Sequence, residues 1–159
     1  EGPGAPPQIV ARDLQSWTDM PGGRAFSGCG IYRSTLVADA AMRRFCRLRF
    51  DAVHDAAIIF VNGKRAGSVW TAPYTLDIAP LLVTGENRLE IRVYNAPANR
   101  VLGLADPDLG PLRAAYGNRF PDPQEKRIMA GPLPAGLAGK LWIETRELGN
   151  RQPTARKRK

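Results

Sequence analysis

Hydrophobic and polar positions along the middle of the chain follow a period of two. Ala57-Ile58-Ile59-Phe60-Val61 is a β-branched and aromatic run that stops at Asn62-Gly63. That pair suits a type I′ hairpin turn, whose two central residues both need positive φ. The pattern predicts a buried strand that reverses sharply. The return strand passes Gly67, Val69 and Trp70, breaks at Pro73, and resumes over Tyr74-Thr75-Leu76-Asp77-Ile78 with Tyr74, Leu76 and Ile78 on one face. After a short apolar turn at Leu81-Leu82, the residues Thr84-Gly85-Glu86-Asn87 read as a turn. Arg88 to Val93 then alternates, with Leu89, Ile91 and Val93 inward and charges outward. One sheet face is therefore dry and the other wet.

Upstream, Asp39 to Arg49 contains the helix formers Ala, Met and Arg behind a possible Asp39 cap, so propensity alone permits a short helix. The alternation of Cys46, Leu48 and Phe50 against Arg47 and Arg49 instead predicts a turn followed by a strand. The chain has 159 residues, enough for one domain that buries about 70% of its unfolded surface. Its 16 Gly and 14 Pro leave little room for long helices. The predicted fold class is all-β, a sandwich with few or no helices.

The domain reading has three parts. Residues 1–25 form an extended lead-in and first strand region, of which the Gly/Pro-rich Glu1 to Pro7 carries no fold. Residues 26–148 form the sandwich, and 149–159 a disordered basic tail ending Arg-Lys-Arg-Lys.

Charge is less telling than it looks. The formal net charge is +8, but the tail holds five of the 23 basic residues and no acid, leaving 18 basic against 15 acidic side chains in residues 1–148. A block of four cations can bind nucleic acid or anionic lipid. Without interleaved aromatics it reads better as a solvated terminus, so nucleic acid is disfavoured as a partner. Cys29 and Cys46 allow one bridge at most and match no metal-ligand spacing. They read as two buried thiols, with a cross-strand disulfide as the alternative. There is no secretory signal, no apolar run of about 18 residues and no initiating Met, so a soluble, processed or excised piece with no membrane span is expected.

The order of these elements resembles the sugar-binding, or galactose-binding-like, jelly-roll domain of glycoside hydrolase family 2 enzymes. The resemblance is carried by Tyr32-Arg33-Ser34-Thr35-Leu36 and Leu48-Arg49-Phe50 as core strands, Val61-Asn62-Gly63-Lys64 as the hairpin, Tyr74 to Ile78, and Gly85-Glu86-Asn87-Arg88-Leu89. Three stretches are more similar to the C-terminal domain of α-L-rhamnosidase-type hydrolases: Val69 to Tyr74, Asn95 to Gly103, and Leu133 to Gly139 before a final strand. Together they cover roughly residues 26 to 146. Two departures stand out. Cys29 occupies a place where small residues are usual, and Leu104 to Arg127 has no counterpart, which puts the cleft geometry in doubt.

The resemblance implies a non-catalytic accessory domain, because the catalytic carboxylates of these hydrolases lie on a separate barrel. An exported hydrolase, extracellular or periplasmic, is also implied. Glycosidases need two carboxyl groups across the scissile bond, and with 15 acids some pair is always available. Asp77, Glu90 and Glu144 read as a solvated sheet face. The lone His54 has no nucleophile motif beside it. No cofactor is expected, although Asp106 and Asp108 could help hold a structural calcium ion, with a plain turn at Pro107 equally suitable.

The remaining candidates are sugar-binding residues at strand ends or in the loops after them: Trp70, Tyr74, Asn95, and the loop residues Asn99 and Arg100. Aromatic faces stack on the C–H side of a sugar ring, while amides and guanidinium groups grip its hydroxyls. Against this, Trp70 and Tyr74 could wedge the two sheets and Asn95 could cap a strand end. Trp17 and Trp142 read as sandwich core or as an interface with a neighbouring domain. The expected partner is carbohydrate or a catalytic glycosidase domain. The leading function is an accessory scaffold of a glycoside hydrolase; the alternatives are a free-standing carbohydrate-binding module and a basic adaptor acting through its tail.

Overall fold

A computed structural model describes residues 1–8, 10, 13–105, 108–117 and 131–146. Seven strands form two antiparallel sheets: β1 (Cys29–Ala38), β2 (Cys46–His54), β3 (Ala56–Val61), β4 (Lys64–Val69), β5 (Thr75–Asp77), β6 (Gly85–Tyr94) and β7 (Gly136–Thr145). Their orders are β1-β6-β3-β4 and β5-β2-β7. Among the described residues between β6 and β7 lie two short helices, α1 (Ala98–Gly103) and α2 (Gly110–Tyr116). The fold is an all-β sandwich.

The alternating sequence is what makes the two layers. Along β6 the residues Asn87, Leu89, Ile91 and Val93 are buried, and their outward neighbours carry the charge. β2 follows the same rule, with Cys46, Leu48 and Phe50 inside and Arg47 and Arg49 outside. Leu48, Ile59, Ile78, Val61, Val93 and Leu137 are almost fully enclosed. Each such side chain contributes on the order of 1.5–3 kcal/mol relative to exposure. The sheets approach closely at Gly67, where a Cβ would lie 2.7 Å from Leu76 Cδ1.

The hairpin forms as its sequence predicts. Asn62 (φ 52°) and Gly63 (φ 78°) both take positive φ between β3 and β4. The segment before β2 is a turn, held by the Asp39 carboxylate, which accepts from the backbone N–H groups of Ala41 (2.9 Å) and Met42 (2.8 Å). Cys46 is fully buried and Cys29 half-buried, and both thiols are free.

Three expectations need correction. Gly85 to Asn87 belongs to the strand rather than to the preceding turn, because Gly85 at φ +95° reverses the chain and Asn87 already points inward. Asn99 and Arg100 sit on α1 rather than on a loop; Pro97 supplies a helical φ of −69° at its start. The third is Glu1 to Pro7, expected to carry no fold, which is tied to the sandwich like the rest of the lead-in. Trp17 is buried in the core, its backbone N–H donates to Ala135 C=O (2.9 Å), and Leu14 bridges Gly139. Even Glu1 accepts a backbone bond from Cys29 N–H (3.0 Å). The basic tail and Asp106 lie outside the described residues.

Candidate functional site

Of the expected sugar-binding residues, Asn95, Asn99 and Arg100 lie at the end of the sandwich where β6 finishes and β1 begins. Tyr94 pairs with Cys29 across these strands, so the next residue, Asn95, faces the chain entering β1. Its Oδ1 accepts from Gly28 N–H (2.8 Å) and its Nδ2 donates to Phe26 C=O (3.1 Å). Asn95 thus fastens that segment. Asp55, at the start of β3, accepts from Ala96 N–H (2.7 Å) and fixes the following turn.

Arg100 is exposed on α1. Its backbone N–H donates to Ser27 Oγ (3.2 Å), and one guanidinium nitrogen donates to Pro3 C=O (3.0 Å). Asn95, Arg100, Pro3, Ser27, Gly28 and Pro97 line an open hollow of about 470 Å³. The hollow offers a guanidinium group, a hydroxyl and a backbone rim, the kind of donors and acceptors that hydroxyl-rich ligands use.

Asn99 lies one residue away but turns inward. It is 2% exposed, and its amide makes a two-point clamp with Leu133, accepting from the N–H (2.7 Å) and donating to the C=O (2.7 Å). Trp70 follows β4 at the same end of the four-stranded sheet, since Val69 pairs with Ala57 and Ala56 with Tyr94. At 70% exposed it does not wedge the sheets. Tyr74 belongs to the other sheet, where its C=O accepts from Phe50 N–H (2.9 Å) and its ring packs partly on the core. The structure therefore joins Asn95 and Arg100, leaves Trp70 two strands away, and gives Asn99 and Tyr74 packing contacts.

The outward carboxylates are occupied. Glu90 is held by Arg92 (2.7 Å) and Arg33 (2.9 Å), and the Arg92 hydrogen bond, with help from Arg33, keeps its carboxyl below the ordinary carboxylate range. These residues border a groove of about 790 Å³ over the outer sheet face, where Arg92 also covers the Phe60 ring. Glu144 pairs with Arg49 (3.1 Å), and Asp77 accepts from Ala79 N–H (3.0 Å). His54 is half-buried at the end of β2, paired with Gly136. Asp108 accepts from Gly110 N–H (2.9 Å), as in a plain turn. Among the described residues no group of three or more His, Cys, Asp or Glu side chains is placed to hold a metal ion. Among the same residues no helix is long and apolar enough to cross a membrane.

Sequence reasoning left Trp142 between core and an exposed interface, and missed what holds it. Trp17 is core, but Trp142 is 41% exposed on the outer face of the three-stranded sheet. The available signal was the outward alternation of Arg47, Arg49 and Asp51 on one strand and of Lys140, Trp142 and Glu144 on the other.

The two-sheet, all-β sandwich is similar to parts of glycoside hydrolases. No family model matches the chain. Among curated proteins it is 35% identical over 96 residues to a putative β-glucuronidase of Formosa agariphila, a match covering 57% of this chain and 8% of that protein. Among solved structures it resembles the rhamnosidase of Novosphingobium sp. PP1Y, with a TM-score of 0.64 and 29% identity, over 88% of this chain and 13% of the rhamnosidase. The β-glucuronidase of Bifidobacterium dentium shares the fold at a TM-score of 0.54 and 23% identity, over 84% of this chain and 24% of that one. The chain spans less than a quarter of the length of any of these proteins. The likeness is to a small accessory part of a glycoside hydrolase and not to a whole enzyme.

Proposed function

We propose that residues 26–148, with the packed lead-in, form a non-catalytic galactose-binding-like jelly roll that buttresses the catalytic domain of a glycoside hydrolase. The parent activity would be directed at a rhamnoside or a glucuronide, in line with the names of the similar proteins. The observation that carries this reading is the match of 88% of the chain to 13% of a rhamnosidase, an extent that suits one accessory unit. The carboxylates of the described strands support it. Glu90 and Glu144 are engaged in ion pairs, and Asp77 holds a turn.

Within this reading the exposed members of the strand-end set, Arg100 and Trp70, contact carbohydrate at the edge of the substrate cleft. Asn95, Asn99 and Tyr74 hold the surrounding loops in place. The chain assayed alone with nitrophenyl α-L-rhamnoside and β-D-glucuronide is expected to release no nitrophenol. Turnover that co-purifies with the chain and disappears in a carboxylate variant would overturn the reading. Tryptophan fluorescence titration with neutral oligosaccharides tests the contact. A saturable change lost in Arg100→Ala supports it, and a flat response leaves the scaffold role alone.

A further inference from the structure

The outer face of the β5-β2-β7 sheet carries a second constellation, well separated in kind from the strand-end hollow. Arg49 on β2 stands directly opposite Trp142 on β7, and Arg47 stands opposite Glu144. The Arg49 guanidinium lies 5.2 Å from the Trp142 ring centroid and the Lys140 ammonium 5.3 Å. At the near end of β2, Arg47 and Arg146 both lie over the Phe45 ring, at 5.4 Å and 4.5 Å. Two aromatic rings and four cations are thus spread over one exposed sheet face. Residues 45 and 49 are about 13 Å apart along a strand.

The Trp142 ring is held by a device that its own packing does not require. The register slips between Phe50 and Ala52, a bulge that presents Asp51 to the neighbouring strand. Opposite it, Gly139 takes φ +82°, and a Cβ there would lie 2.8 Å from Asp51 Cβ. In this fit Asp51 accepts from Lys140 N–H (2.9 Å) and from Trp142 Nε1–H (3.1 Å). These two hydrogen bonds hold its carboxyl below the ordinary carboxylate range. A bulge, a positive-φ glycine and a carboxylate therefore fix the orientation of an indole that stays exposed. Ordering a large ring before binding removes the entropy cost of ordering it on binding.

The charges indicate the ligand. Among the described residues no carboxylate lies within ion-pair distance of Arg47, Lys140 or Arg146. Yet Asp51, Asp77 and Glu144 are interspersed with them across the same face. A polyphosphate chain has no hydroxyl to donate to these acids and meets them only with repulsion. A sugar acid has hydroxyls to donate to them, a C–H face for the ring and a carboxylate for the cations.

We propose that this face binds an acidic, uronate-containing oligosaccharide, with Trp142 as the stacking ring beside Arg49 and Lys140 and Phe45 with Arg47 and Arg146 as a second subsite. This site is distinct from the hollow at Arg100 and does not depend on the scaffold role.

Calorimetric titration of the full chain with a galacturonic acid tetramer, a neutral galactose tetramer and a uridine oligonucleotide tests it. The acidic tetramer is expected to bind at least tenfold more tightly than the neutral one, and added salt should weaken it. Trp142→Ala is expected to reduce that affinity tenfold or more, Trp142→Phe less, and Lys140→Ala severalfold, whereas Lys64→Ala, exposed on the other sheet, leaves it unchanged. Circular dichroism checks that each variant is folded. Should Trp142→Ala not fold, the exposed cation variants Lys140→Ala and Arg146→Ala decide the question through the same loss of affinity. No binding of the acidic tetramer, affinity indifferent to these substitutions, or tighter, Trp142-dependent binding of the oligonucleotide would overturn the proposal.

Discussion

The Asn62 Nδ2 donates to Asn87 Oδ1 at 2.9 Å, tying the β3–β4 hairpin to the start of β6. Asn87 is 1% exposed, and its amide is fully used: Oδ1 also accepts from Val83 N–H (2.8 Å), and Nδ2 donates to the C=O groups of Val83 (2.8 Å) and Gly85 (2.9 Å). Asn62 in turn accepts from Arg88 N–H (2.9 Å). One buried side chain thus satisfies a tight loop from the inside. Asn87→Ala leaves these backbone groups without partners and is expected to destabilise the fold by about 3 kcal/mol. The more exposed Asn62→Ala is expected to lose about 1 kcal/mol. Urea unfolding measures both, and equal small losses would show that water replaces the amide.

Trp17 is fitted between two glycines. A Cβ at Gly30 would lie 2.1 Å from Trp17 Cζ2, and one at Gly136 2.3 Å from Trp17 Nε1. The indole N–H donates to Tyr32 Oη (2.7 Å), which also accepts from Leu137 N–H (3.0 Å). Gly30→Ala must displace a core ring and is expected to cost about 2 kcal/mol. Tyr32→Phe keeps the packing but leaves two donors without their acceptor, at about 1–3 kcal/mol. Thermal unfolding with near-ultraviolet circular dichroism separates the two, because only the first moves the indole.

These contacts mark the boundary of what local pattern can say. The β3 run, its Asn-Gly turn and the alternation of β6 were legible because each is a short-range consequence of side-chain period and φ preference. Asn87 was not, since a polar residue after Gly-Glu looks like a turn and only the loop it fills reveals it as core. Asn99 likewise read as a loop residue with no obvious structural job; its partner Leu133 is 34 residues away. Of the expected residues the structure brings Asn95 and Arg100 together and turns Asn99 inward. Trp17 reaches the core through Ala135, Leu137 and Tyr32, all remote in sequence. Trp142 shares its outward face with Lys140 and Glu144, which local alternation shows, but the Asp51 that orients it is 91 residues away.

The two thiols differ in access. Cys46 lies in the core at 0% exposed, and burial pushes its pKa up, whereas Cys29 is half-buried at the start of β1. A reagent that attacks thiolates should modify about one thiol per chain under native conditions, and the second only on unfolding. Cys46→Ser is expected to destabilise the fold by about 1–3 kcal/mol through a buried hydroxyl. Two fast-reacting thiols in the folded chain would contradict the burial of Cys46.

Acid stability follows from Glu90. Arg92 and Arg33 favour its ionised form, so its pKa in the folded chain lies below the ordinary value of 4.5. The unfolded chain then binds the proton more tightly than the folded one, and stability falls as protons are taken up. The contribution is fully present above the ordinary carboxylate pKa and is lost as pH falls through the depressed folded value. Glu90→Gln is expected to lower stability by a constant small amount between pH 6 and 8, and to lose less than the parent chain on descent below about pH 4.5. Urea midpoints measured across this range decide the point. Parallel acid limbs for the two proteins would mean that the ion pairs at 2.7 Å and 2.9 Å contribute nothing to the pH dependence.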